Sequence, residues 1–363
     1  MATNRYLWIL ALALAVALST AAAAPSAHRV AGVNAFVVRG LVSDGSVVDT
    51  TVDPNLVNAW GLSASASGPW WIANEATETS TLYDGTGRKL ARVVAVAGGP
   101  TGVIFNSTPG FVVTDGQASA PARFIYACED GRIRGWAGSV PTDGSNATEI
   151  AVDNSHRGAV YRGLAQATTS DGSTYLYAAD FHNGRVDVFD ANWRPITRKG
   201  AFVDRRIPPW YNEFGLQAIG ERIFVTYASP APANGNDSPT GGYVDVFDLR
   251  GKLLARIGRM GPLNEPVDVA LAPPSFGKFG GDLLVGNFGD GRISAYRDVF
   301  HRLFVPAGQL RSSTGGALAI DGLWALEFGQ GAPNNGPTDT LFFTAGPNDE
   351  ENGLFGSIRA AAP

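Results

Sequence analysis

The stretch LYAADFHNGRVDVFD at 176–190 returns 107 positions later as LLVGNFGDGRISAYR at 283–297. Both copies run through an apolar segment, a small residue, Asp or Asn, Phe, two loop residues, Gly-Arg and a final apolar alternation. A chain that repeats a unit of this kind has to stack its copies or set them in a ring. The marker recurs at Gly131-Arg132 (EDGRIRGWAG), Gly184-Arg185 and Gly291-Arg292. GGYVDVFDLRG holds Gly242 in register, with Tyr243 in place of Arg. ETSTLYDGTG aligns through Leu82-Tyr83-Asp84 and puts Glu78 at the Gly position, and NGLFGSIRA puts Gly353 there. The intervals are 53, 53, 58, 49 and 62 residues, a mean of about 55. A four-stranded propeller blade is one of the few units of that size.

Each unit reads as short β-runs parted by turn residues. In the third these are GLAQATT (163–169), YLYAAD (175–180), GRVDVFD (184–190) and ITRKGAFV (196–203). The fifth repeats them as VDVALAP, DLLVGNF, GRISAYR and HRLFVPAG. Asn-Gly or Asp-Gly joins the second and third runs, where Gly supplies a positive φ without steric cost. The sixth unit ends one strand short, and AFVVRGLV (35–42) stands alone before the first. That lone strand most simply completes the sixth blade and removes its open edge. The expected fold is an all-β, six-bladed β-propeller over 30–363, with blades at about 53–98, 99–155, 160–204, 212–260, 264–310 and 320–360. A two-sheet sandwich of similar turn spacing is the alternative. In the second unit GFVVTD is either the true second strand or an insertion.

Composition agrees with a turn-rich β-protein, since 45 of 363 residues are Gly and only 17% are charged. The net charge of −5, without a basic run, argues against nucleic acid as a partner. Arg5, the apolar run Leu7–Leu18 and STAAAAPSA read as a secretory leader cleaved between Ala21 and Ala27, with an uncleaved anchor as the alternative. The expected product, free of residues 1–27, is a secreted monomer without a membrane segment. Cys128, the sole cysteine, lies in an apolar strand pattern and reads as a buried thiol. Asn106, Asn146 and Asn236 match the glycosylation triplet, and the first two are the candidates.

The units resemble NHL-type repeats. The stretches LVSDG (41–45), DPNLVNAWGLS (53–63), PTGVIFN (100–106), RFIYACEDGRIRGW (123–136) and EPVDVALAP (265–273) resemble an uncharacterised family of secreted proteins found in bacteria and plants. That resemblance spans nearly the whole chain after residue 30. It implies the propeller fold and no particular chemistry.

Propeller ligands usually sit over the central channel. Residues before the inner strands are Asn58, Thr101, Arg162, Glu213, Glu265 and Asp321. Those after the second strands are Asn74, Asp180, Tyr227 and Asn287, with Asp115 or Glu129 in the second unit. Their carboxylates and amides suit Ca²⁺ or Mg²⁺, and resemble the Glu, Asn and Asp set of metal-dependent propeller lactonases. On that reading Asp180, Glu213, Glu265 and Asn287 are the cation ligands. The plainer reading makes all of them strand caps and turn-formers. Arg162 either grips a ligand's acid group or pairs with a carboxylate of the neighbouring blade. Arg132, Arg185 and Arg292, repeated at one position, are expected to pair across to the adjacent blade. Trp60, Trp70, Trp71, Trp136 and Trp324 are expected to pack between blades, and RRIPPWYNEFG (205–215) either lines a recognition surface or anchors its loop. No Gly-x-Ser-x-Gly, His-Glu-x-x-His or Cys-x-x-Cys motif is present. Three functions remain: a binding module for a small molecule, glycan or peptide, a divalent-metal-dependent, lactonase-like hydrolase acting at the same face, or, third, a purely structural scaffold of the extracellular matrix or wall.

Overall fold

The computed structural model describes residues 32–229, 241–299 and 303–362. The expected leader, Asn236 and most of the 230–241 loop lie outside them. The inner strands of the six blades are Ala59–Ala64, Pro100–Phe105, Tyr161–Thr168, Asn212–Ile219, Pro266–Leu271 and Leu323–Phe328. Each packs against the next, and the sixth packs against the first, so the ring is closed. Four blades have four antiparallel strands, and the third has three.

The sixth sheet completes the ring as the lone strand predicts. Phe36–Ser43 pairs antiparallel with Leu354–Ala360, from Phe36 opposite Ala360 to Ser43 opposite Leu354. Phe36 is fully buried and lies 4.9 Å from the ring of Phe276. In the second blade the second strand is Phe124–Cys128, and Val112–Thr114 forms a separate hairpin with Ser119–Pro121. GFVVTD is therefore an insertion.

The third blade departs from expectation. Residues 196–203 form turns instead of an outer strand. Phe202 adopts φ 57° and buries its ring against Tyr177 and Phe247, while its N–H donates to Gly251 O. Anchoring this ring in the next blade outweighs the strand pairing that the alternation suggests.

The inner strands share a bulge that sets the register at the channel. Ala59 pairs with Asn74 and Leu62 with Ile72, so Trp60 and Gly61 lie within the bulge. The matching pairs place Thr101-Gly102, Arg162-Gly163, Phe214-Gly215 and Trp324-Ala325 in the same place, and in the fifth blade Val267 alone lies in the bulge, with Asp268 opposite Gly286. Glycine is required by close approach. A Cβ on Gly61 would stand 2.4 Å from Thr101 O, and one on Gly215 only 1.8 Å from Val267 O.

Candidate functional site

The first residue of each bulge, followed by glycine in the first four blades, by Asp268 in the fifth and by Ala325 in the sixth, reaches the channel, so the ring reads Trp60, Thr101, Arg162, Phe214, Val267 and Trp324. The rim above it is formed by the residue just beyond the second strand in five blades, Glu75, Glu129, Phe181, Phe288 and Gly346, and by the strand's last residue, Ala228, in the fourth. Those five donate their N–H groups to the segments leading into the inner strands, which fixes this equivalence.

Five aromatic side chains meet there. Trp60 and Trp324 stack at 3.7 Å, Phe288 stacks on Trp324 at 4.2 Å, and Phe181 meets Phe214 edge-on at 5.2 Å. The Arg162 guanidinium lies over Trp60, Phe181 and Phe214, at 5.2, 4.7 and 5.0 Å from their centroids. It forms an ion pair with Glu129 of the second blade at 3.0 Å. Burial pulls the Arg162 pKa down, opposed by Glu129, Glu350 and Glu75. Burial pushes the Glu129 carboxyl up, with Arg162 opposing and Glu75 and Glu350 adding to the rise.

Asn58 ties the acidic side together. Its Nδ2 donates to Glu75 Oε2 at 2.9 Å and to Glu350 Oε2 at 2.8 Å, while its Oδ1 accepts from Trp324 Nε1 at 2.9 Å. Two carboxylate oxygens on one nitrogen lie within about 6 Å of each other. Unit charges at about 5 Å repel by roughly 3 kcal/mol at an effective dielectric of 20. The fold accepts this arrangement on strained backbone. Asn58 and Glu265 have φ 46° and 51°, and the run Asn348, Asp349 and Glu350 has φ 59°, 51° and 68°. Such outliers gather at functional sites. Above the aromatic floor is a cavity of about 280 Å³, lined by Arg162, Phe181, Glu265, Phe288, Trp324 and Glu350 among others.

The structure brings Asn58, Arg162, Glu265 and, in the second unit, Glu129 of the expected set to this mouth. Thr101 joins the ring but spends its hydroxyl on Ala127 O and Tyr161 O. Asn74, Asp180 and Asn287 are the last residues of their strands and Tyr227 is the last but one of its own, each one step short of the rim. A single step along a strand turns a side chain to the other face, and these four are buried inside the blades. Asn74 donates to Thr79 and Thr81. Asp180 accepts from Asn183 and pairs with Arg185, and Asn287 donates to Pro262 O and Asp290. The buried Tyr227 hydroxyl has no hydrogen-bond partner among the described residues. Glu213 is buried opposite Tyr227, and burial with help from Asp180 raises its pKa to about 7. Asp321 is exposed and accepts from Asn348 N. Asp115 lies in the inserted hairpin's turn. Of the four expected cation ligands, Glu265 alone lines the mouth cavity. Among the described residues no group of three or more His, Cys, Asp or Glu is placed to hold a metal ion.

Other expectations also change. Arg132, Arg185 and Arg292 pair within their own blades, with Asp130 and Asp153, with Asp180 and Asp187, and with Asp290. The acceptor in each case lies on the adjoining turn or strand, nearer than the next blade. Asn106 is fully buried, with its amide donating to Ala122 O and accepting from Gln166, so a glycan there is incompatible with the fold. Asn146 donates to Val93 O and accepts from Arg92 and Trp136, which commits its amide as well. Cys128 is buried, and burial raises its thiol pKa far above the usual range. Of the 205–215 loop, Trp210 is 61% exposed while Tyr211 is buried against Tyr243.

Sequence reading alone missed the aromatic floor. Its signal is the Phe column of the repeat, Asp180-Phe181 and Asn287-Phe288, which marks the rim position. The same column holds Glu75 and Glu129. Glu350 lies on a loop outside the repeat and carries no such mark.

No family model matches the chain. An uncharacterised protein of Acanthamoeba polyphaga mimivirus is 32% identical over 341 residues, covering 90% of this chain and 80% of that one. A second from the same virus is 30% identical over 336 residues, covering 88% and 85%. Among solved structures, an α-L-arabinofuranosidase from Fusarium graminearum superposes with a TM-score of 0.51 at 10% identity, covering 90% of this chain and 98% of that one. This last likeness shows the fold alone.

Proposed function

The chain belongs to the family that includes these two mimivirus proteins, and we propose that it is a β-propeller binding module with its ligand site at the channel mouth. The observation that carries this reading is the stack of Trp60, Phe181, Phe214, Phe288 and Trp324 beneath a cavity of about 280 Å³, rimmed by charged side chains. Trp60, Phe214 and Trp324 are buried and support Phe181 and Phe288, which are half-buried at the mouth; aromatic side chains supply area and orientation at little entropic cost, and polar rim groups fix register. A cavity of this size takes a small molecule, or one residue of a glycan or peptide. The expected secreted setting belongs to the same proposal.

The other reading, hydrolysis assisted by Ca²⁺ or another divalent cation, needs oxygen donors gathered at one point. Asp180 and Asn287 are committed inside their blades, so the geometry favours binding. The test is a thermal-shift screen of glycans, peptides and small metabolites against the full chain, repeated on Phe288→Ala and on Asp180→Asn. The reading predicts hits that Phe288→Ala abolishes and Asp180→Asn retains. Hits indifferent to Phe288→Ala would refute it. A ligand-independent fall in melting temperature with EDTA would instead support the metal reading.

A further inference from the structure

We infer that the ligand of the channel mouth is a small organic cation: an ammonium group on an apolar body. This rests on the binding-module reading and specifies its ligand class.

Charge is the first argument. Glu75, Glu129 and Glu350 stand at the mouth, and among the described residues that line its cavity Arg162 is the one Lys or Arg. Arg162 already has Glu129 at 3.0 Å. Glu75 and Glu350 form no ion pair among the described residues, and the group between them is the neutral amide of Asn58. A carboxylate pair held together this way gains from a positive charge and loses from a further negative one.

The aromatic floor is the second, independent argument. Ring faces carry negative potential, and a cation near a centroid is held by it. Arg162 demonstrates this on one side of the mouth, with three rings within 5.2 Å of its guanidinium carbon. The cavity extends from there to Phe288, Trp324 and Glu350. This side offers the same pairing of ring and carboxylate, and Arg162 does not reach over Phe288 or Trp324 in the way it covers the other three. An ammonium directed at Glu350, with its apolar body against Phe288, satisfies both features. A neutral ligand would use only the rings. An anionic ligand would use only Arg162 and would have to displace Glu129.

The test uses three probes of one shape with the full-length protein: benzylammonium, benzyl alcohol and benzoate, titrated by calorimetry at pH 7. The inference predicts that benzylammonium binds at least tenfold more tightly than benzyl alcohol, and that benzoate does not bind. It also predicts that raising NaCl from about 0.05 to 0.5 M weakens the ammonium several-fold and leaves the alcohol unchanged. Glu350→Gln should lower the ammonium's affinity about tenfold while the alcohol holds. Equal affinity for ammonium and alcohol overturns the cation inference and leaves the aromatic site standing. Tightest binding by benzoate overturns it in favour of Arg162 as an anion anchor. Failure of all three probes removes the mouth site itself, and with it the binding-module reading.

Discussion

Asp268 stands where the first four inner strands carry glycine, and it shows how one residue reshapes a shared position. Its carboxylate accepts from Val269 N and, across the blade boundary, from Leu326 N, each at 2.8 Å. Glu327 follows on the neighbouring strand, and Gln330 Nε2 donates to it weakly at 3.4 Å. Burial pushes Asp268 up to about 7, and burial with the charge of Asp268 pushes Glu327 up to about 8. In the unfolded chain both titrate near 4. Between about pH 4 and 8 the folded state therefore holds protons that the unfolded chain has released. The stability tied to these groups is full below about pH 4 and falls as pH rises through their folded values. Glu327→Gln should leave the melting temperature unchanged near pH 4 and raise it at pH 9, by on the order of a few degrees. An equal shift at both pH values would contradict this assignment. The glycines themselves make a sharper case. Gly215→Ala forces a Cβ against Val267 O and should cost at least about 2 kcal/mol in urea unfolding. Gly138→Ala, which meets nothing nearer than 3.7 Å, should stay within about 0.5 kcal/mol.

Among the elements, Phe36–Ser43 is the most consequential, because it converts an open sheet edge into a closed ring. A variant lacking residues 1–50 should expose the Leu354–Ala360 edge and the rings of Phe276 and Phe279. It is predicted to self-associate in size-exclusion chromatography at micromolar concentration, where the intact chain runs as one species. A deletion variant with unchanged elution and melting temperature would deny the strand its closing role. This element was legible in the sequence, since one unit lacked a strand and the chain held a spare. The Gly-Arg marker was legible for the same reason: it recurs at one place in three of the blades, where the glycine takes a positive φ in a turn. The mouth was only half legible. The bulge before Leu62, Leu164 and their counterparts adds a residue to each inner strand, and no local pattern announces it. Without that register, strand-end residues such as Asp180 and Asn287 look like rim residues, and Phe181 and Phe288 look like core. The outer strand expected at 196–203 failed for another cause, because the partner that holds Phe202 lies in a different blade.

For the molecule as a whole, the closed ring gives six equivalent positions and the sequence makes them unequal. Carboxylates stand at the mouth on the first, second, fifth and sixth blades, as Glu75, Glu129, Glu265 and Glu350, while the floor is aromatic from Trp60 through Phe214 to Trp324. A symmetric scaffold would have no need of this polarity or of the left-handed turn at 348–350 that carries Glu350. The asymmetry also predicts an optical signal. Ligand binding should quench or shift the fluorescence of Trp60 and Trp324, and Trp71→Phe, in a different cluster, should leave that change intact. A response lost in Trp71→Phe and kept in Phe288→Ala would place the ligand elsewhere. The most direct measurement is a crystal structure of the full chain grown with a ligand selected by thermal shift. The account predicts density at the channel mouth, against Phe288 and Trp324 and within hydrogen-bonding distance of Glu350. Density at the opposite end of the channel beside Glu327, or on the Trp210 loop with the mouth unoccupied, would contradict it.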